Sequence, residues 1–145
     1  MLLKMKKLKK KDYKICIVGL GYVGLPLAAR FSLKGFNVTG FDIKEQRINQ
    51  LVNKIDINND ISDTNLENLV ENSKLTSNID EIKHSNIFII TVPTPINEDK
   101  TPDLKPLKAS SELVGGVIQK DSIVIYESTV YPGVTDEFCT PILEE

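Results

Sequence analysis

Cysteine and histidine are nearly absent from this sequence. Its two cysteines, Cys16 and Cys139, cannot form a disulfide framework, and neither sits in a CxxC pair. Cys16 lies in an apolar run, where a buried reduced thiol is expected, and such cysteine usage points to a reducing cytoplasm. The single histidine, His84, occupies a polar stretch ahead of a strand-like run and is expected at the surface, although an imidazole can serve as a catalytic base. No cluster of histidine, cysteine and aspartate has metal-ligand spacing, so no metal is expected. Long apolar runs are missing as well. Nothing approaches the roughly 18 residues of a membrane-spanning helix, which predicts a soluble chain with no membrane partner. No apolar segment follows the N-terminal lysines, which excludes a secretory signal.

Charge is unevenly spread. Lys4, Lys6, Lys7, Lys9, Lys10 and Lys11 crowd the start, and without them 12 basic residues face 20 acidic ones. A lysine cluster can suggest nucleic acid or an anionic surface. A solvated, disordered arm over residues 1–12 is the simpler expectation, and the acidic remainder argues against a nucleic-acid partner. The remaining stretch, 13–145, is about the size of one domain and can bury a core without disulfides or metal.

From Tyr13 onward, strand-like and helix-like segments alternate. Lys14–Val18 (KICIV) and Asn37–Phe41 (NVTGF) read as strands. Val23 to Lys34 reads as a helix ended by Gly35. Ile48, Leu51, Val52 and Ile55 recur at helical spacing, so a second helix begins near Lys44. A polar loop over 56–62 precedes a short helix marked by Leu66, Leu69 and Val70, then a short strand at Leu75-Thr76. Asn86–Thr91 (NIFIIT) is apolar enough to be covered on both faces. Leu107, Val114, Val117 and Ile118 predict a helix, Ser122–Tyr126 another strand, and Phe138, Ile142 and Leu143 a last helix. This alternation predicts an α/β, Rossmann-type doubly wound, mostly parallel sheet with helices on both faces, in the order 3-2-1-4-5. No helix stop signal precedes Glu145, which suggests a boundary cut through a longer protein.

Gly19-Leu20-Gly21-Tyr22-Val23-Gly24 is GxGxxG, a weak signal alone. Here it follows a strand and opens a helix, and Asp42 stands 18 residues past Gly24, near the roughly 20 expected of a ribose-binding acid. Gly19 permits the tight turn, Gly21 lets backbone approach a pyrophosphate, and Gly24 lets the helix pack on the sheet. The helix N-terminus offers unpaired N–H groups to phosphate. A carboxylate at Asp42 accepts from ribose hydroxyls and repels a 2′-phosphate, which favours NAD over NADP. Lys44 and Arg47, two nearby cations, weaken that preference. Two further clusters fall where ligands bind open α/β sheets: Thr91-Val92-Pro93-Thr94-Pro95 and Glu127 to Gly133. Turn chemistry alone would also account for either.

GLGYVGLPLA, VPTP and ESTVYPG together resemble the nucleotide-sugar 6-dehydrogenases, over essentially all of 14–145. The segment IYESTVYPGVTDEFCTPILEE is similar to the UDP-N-acetylgalactosamine/UDP-N-acetylglucosamine branch, which serves capsule and O-antigen synthesis. The resemblance implies oxidation of a sugar C6 alcohol to a carboxylate with two NAD, through an aldehyde and a cysteine-bound thioester. It implies cofactor contacts at Gly19, Gly21, Tyr22, Val23, Gly24, Asp42, Arg47, Pro93, Thr94, Ser128 and Thr129. Val23 would act through its backbone, Asp42 and Arg47 at the adenosine side. Thr129 would lie nearest the nicotinamide and take a catalytic part by positioning the reactive water.

The family's nucleophilic cysteine lies in a GGxCxPK motif, and neither that motif nor the catalytic lysine occurs in this chain. Cys139, at helical spacing with Phe138 and Ile142, reads as structural. The chain alone is therefore expected to bind cofactor without turnover. The UDP-sugar would bind mainly to a C-terminal part, and a homodimer is expected of the whole protein. A UDP-glucose or UDP-N-acetylmannosamine dehydrogenase, or a standalone NAD-binding regulatory module, remain alternatives.

Overall fold

The computed structural model describes residues 10–144. Five parallel strands form one sheet in the order β3-β2-β1-β4-β5: β1 Lys14–Val18, β2 Asn37–Phe41, β3 Lys74–Thr76, β4 Ile87–Ile90 and β5 Ile123–Tyr126. The expected strand order holds, and the sheet is parallel throughout. Between the strands run α1 (Gly24–Leu33), α2 (Glu45–Val52), α3 (Asp63–Asn72) and α4 (Lys105–Gly115).

Alternation along the central strands divides the core in two. Ile15, Ile17 and Ile89 point to one face, where they meet Leu25, Ala28 and Ala29 of α1, Ile48 and Leu51 of α2, and Leu66 and Leu69 of α3. Cys16, Val18, Phe88 and Ile90 point to the other, against Leu107 and Val114 of α4, Val134 and Cys139. A strand buried on both faces needs this continuous apolar sequence. Full burial of a leucine such as Leu51 or Leu69 contributes about 1.5–3 kcal/mol. The strand at the sheet's end is different: Ile123 and Ile125 are 55% and 37% exposed.

Three local expectations need correction. The basic arm falls mostly outside the described residues, but Lys10–Asp12 form a 3-10 turn. There Lys10 donates to the Lys34 carbonyl at 3.0 Å and lies 5.5 Å from the centre of the Phe36 ring. An unpaired helix-end carbonyl and an aromatic face both attract the ammonium, so order begins before residue 13. The α4 helix stops at Gly115, short of Val117 and Ile118, which double back to the carbonyl of Val114 and still pack on the core. The last helix is composite, a wide π-type turn over Val134–Cys139 followed by α5 (Thr140–Leu143).

Candidate functional site

The three glycines of the β1–α1 turn have different local demands. Gly19 has φ +95 and donates its N–H to the Phe41 carbonyl at 2.8 Å. That left-handed conformation suits glycine. A Cβ on Gly24 would overlap the carbonyl of Gly19 and the hydroxyl of Thr91, whereas a Cβ on Gly21 would meet nothing within 4 Å. So Gly24 is a packing glycine, and Gly21 presents bare backbone to open space. No side chain caps the first turn of α1, and no acid lies in it, so the positive end of its dipole meets no acid from the helix itself.

The turn is held from three directions. Thr91, at the end of β4, donates its hydroxyl to the carbonyls of Gly19 at 2.7 Å and Val18 at 3.1 Å. Asp42, just past β2, accepts the Leu20 N–H at 2.9 Å through one oxygen and the Lys44 N–H at 2.9 Å through the other. Arg47, on α2, donates its Nε–H to the Leu20 carbonyl at 3.0 Å. The peptide groups either side of Leu20 are thereby fixed by groups from two other elements. Each Asp42 oxygen accepts one of these bonds and keeps a second lone-pair direction for another donor.

Three cavities meet along the carboxyl ends of the strands. One, of about 440 Å³, is mostly apolar, with Gly21, Asp42 and Ile43 on one side and Pro106, Ala109 and Leu113 of α4 on the other. A second, about 480 Å³, opens beside Leu20, Gly21, Asp42, Lys44 and Arg47. The third, about 280 Å³, lies beyond the glycine turn, lined by Tyr22, Val23, Thr91 to Pro95, and Glu127 to Thr129. Its wall is stitched across β4 and β5. Ser128 donates to the Val92 carbonyl at 2.6 Å, and Thr94 donates to the Thr129 carbonyl at 2.8 Å.

The residues named from sequence thus converge. Gly21, Tyr22, Asp42 and Pro93 line the first cavity, and Tyr22, Val23, Pro93, Thr94, Ser128 and Thr129 share the third. Gly19 and Gly24 shape the turn between them. Arg47 reaches the second cavity, but its guanidinium is bonded to Asp56 at 3.0 Å and Asp60 at 3.3 Å. His84 is exposed, as expected. Cys139 is fully buried, within a network in which Ser111 and Tyr126 hydroxyls lie 2.7 Å apart. Sequence reasoning missed the α4 wall and Ile43, whereas Glu127, which opens the second cluster named from sequence, lines the third cavity. Pro106, Ala109 and Leu113 stand at helical spacing beside the Leu107 and Val114 stripe. That second apolar stripe is the signal that could have found them. Among the described residues no group of acidic, histidine or cysteine side chains could hold a metal ion, and no helix is long and apolar enough to cross a membrane.

Residues 13–145 match the UDP-glucose/GDP-mannose dehydrogenase family, NAD binding domain. The chain is similar to UDP-N-acetyl-D-glucosamine 6-dehydrogenases of Pseudomonas aeruginosa, 51% identical over 93% of this chain and 32% of that protein, and of Salmonella typhi, 52% identical over 91% and 31%. Among solved structures it is similar to the UDP-D-ManNAc dehydrogenase of Pyrococcus horikoshii. That match has a TM-score of 0.81 and 34% identity, covering 88% of this chain and 31% of that one. The chain spans about a third of the length of the relatives it matches. A parallel sheet in this order, a glycine turn with its helix and acid, and a match over nearly the whole chain agree: the chain belongs to the UDP-glucose/GDP-mannose dehydrogenase family, as its NAD-binding domain.

Proposed function

We propose that this chain is the cofactor domain of a cytoplasmic, homodimeric UDP-N-acetylhexosamine 6-dehydrogenase, which oxidises the sugar C6 alcohol to a uronate for capsule or O-antigen polysaccharide. The observation that carries the reading is the cleft running from Asp42 past Gly21 to Thr129 across the carboxyl ends of four strands. Its adjoining cavities on either side of the glycine turn and its bare backbone at Gly21 suit a dinucleotide, and the identity to two UDP-N-acetyl-D-glucosamine 6-dehydrogenases supports the sugar class.

In this reading the adenine lies between Ile43 and the α4 wall of Pro106, Ala109 and Leu113. Asp42 accepts from the ribose hydroxyls with its remaining lone pairs, and Arg47 closes that side. Backbone N–H groups of Tyr22 and Val23 face the pyrophosphate, with Gly19 and Gly24 keeping the turn tight. Pro93, Thr94, Ser128 and Thr129 form the nicotinamide end. When bound, NAD supplies the acceptor for the hydride leaving the sugar C6. Thr129, its backbone pinned by Thr94, orients water beside the reacting carbon. The nucleophile and lysine that the chemistry also needs lie outside this sequence, as does most of the sugar site.

Two measurements test the proposal. The purified chain should bind NAD in calorimetry yet give no NADH absorbance with any UDP-sugar. The full-length protein should then reduce NAD with UDP-N-acetylglucosamine or UDP-N-acetylgalactosamine in preference to UDP-glucose and UDP-N-acetylmannosamine. A preference for either of the latter pair would reassign the substrate. Sugar-dependent NADH from the chain alone would show that it carries its own nucleophile.

A further inference from the structure

Arg47 and Asp42 grip the same residue. Asp42 takes the N–H of Leu20 and Arg47 its carbonyl, and both side chains line the cavity beside Gly21. On sequence alone, a guanidinium so near the ribose-binding acid is the natural receptor for a 2′-phosphate, because its planar fork matches phosphate geometry. The structure gives that fork other partners. One terminal nitrogen meets Asp56 at 3.0 Å and the other Asp60 at 3.3 Å, with all three side chains at least 89% buried. Asp56 is itself fixed by accepting the backbone N–H groups of Asp60 and Ile61 with its second oxygen. The turn between the two acids passes through Asn59 at φ 55, a left-handed conformation that asparagine tolerates. Lys44, the other cation on this cavity, is exposed. It is a hydrated point charge without a fork. Of the two cations on this cavity, Arg47 is held by two carboxylates and Lys44 is exposed.

We propose that Asp56 and Asp60 are specificity-determining residues that select NAD over NADP by engaging Arg47, so that no guanidinium is open to a 2′-phosphate. Asp42 then contributes only part of the discrimination. The inference rests on the reading above, that the adenosine ribose sits at Asp42. It assigns to the loop between α2 and α3 a role in cofactor choice, although its acids need not touch the cofactor.

The test is calorimetry with NAD and NADP on three proteins: the native chain, D56N/D60N, and D56N/D60N carrying Arg47→Met. Native protein should prefer NAD. In the double variant NADP binding should tighten and the NAD:NADP ratio narrow by about tenfold or more, the scale of one charge-assisted bond to phosphate. Arg47→Met should then abolish the gain. A ratio unmoved in D56N/D60N, or a gain that survives Arg47→Met, overturns the proposal. If the double variant does not fold, Asp60→Asn alone leaves Asp56 and its loop bonds in place and should narrow the ratio severalfold, with an unchanged ratio counting against the idea. A native chain that binds no NAD defeats the reading of the cleft and this inference with it. A native chain that binds NAD while the ratio stays fixed defeats the inference alone.

Discussion

The hydroxyl of Thr91 donates to the carbonyl of Gly19 at 2.7 Å, bonding the end of β4 to the glycine turn of β1. Thr91 is buried, and it is also the side chain that a Cβ on Gly24 would strike. Strand end, turn and helix start therefore share one polar contact. Replacing Thr91 by Val keeps the shape and removes the donor. Leaving the Gly19 carbonyl without it should cost about 1–3 kcal/mol, read as a lower urea midpoint, and weaken NAD severalfold. Thr91→Ser should retain most of both. A valine variant as stable as the native protein would mean that the hydroxyl contributes nothing to the turn.

The glycines at 21 and 24 should separate binding from folding. Gly21→Val has open space for its side chain, so the protein should fold with near-native stability and lose NAD, because the side chain occupies the pyrophosphate approach. Gly24→Ala drives a methyl into backbone and should lower stability by about 3 kcal/mol, the upper range of overpacking. Denaturation and calorimetry on the pair check both halves. A stable Gly24→Ala or a tight-binding Gly21→Val contradicts the assignment.

Asp42→Ala should weaken NAD by about 1–3 kcal/mol through loss of a hydrogen bond to a charged group. It also releases the Leu20 and Lys44 N–H groups. Asp42→Asn keeps an acceptor oxygen and should retain more of the fold while still losing affinity. If both variants bind NAD as tightly as the native chain, the ribose does not sit at this carboxylate.

Alkaline stability follows from the buried thiols and phenol. Burial pushes the Cys16 thiol from 9.0 up to about 12. Burial, partly opposed by the Ser111 hydrogen bond, lifts Tyr126 from 10.0 to about 12. Cys139 is also pushed up by burial. In each case the folded state keeps its proton to higher pH than the unfolded chain. Their contribution to stability is therefore whole below about pH 9 and declines as pH rises toward 12. Urea midpoints should fall steadily across that window. At about pH 8 neither cysteine should react with iodoacetamide unless denaturant is present. Fast alkylation of the native chain would show an accessible thiolate.

The first two strands were legible to the residue because Gly19 and Gly35 punctuate short apolar runs, and the glycine turn is written in the sequence outright. Helix ends were less so. Val117 and Ile118 extend the apolar pattern of α4, but the Gly115-Gly116 pair lets the chain turn back on Val114 first. The π-type turn at Val134–Cys139 was invisible, since Phe138 and Ile142 fit ordinary helical spacing. The candidate cleft was legible on its loop side and obscure on its helix side. Loops advertise themselves through glycine, proline and threonine. Pro106, Ala109 and Leu113 look like any core-facing stripe until the helix is placed. The pairing of Arg47 joins residues 9 and 13 positions apart through a folded loop, and no local periodicity encodes it.

Among the described residues β5 is an edge strand whose outward face carries Ile123 and Ile125 in partial contact with solvent. Open backbone N–H and C=O groups beside exposed branched side chains form a template on which another extended chain can add. Two copies of the chain are therefore expected to pair along that rim at high concentration, which light scattering would read as a growing mass. Ile123 and Ile125 line none of the three cavities at the carboxyl ends of the strands, so pairing along that rim would limit the concentration the chain reaches without closing the cleft. A lysine at position 125 should raise that limit, because a charge on an edge strand discourages strand-to-strand pairing, while leaving the glycine turn and the Asp42 pocket untouched.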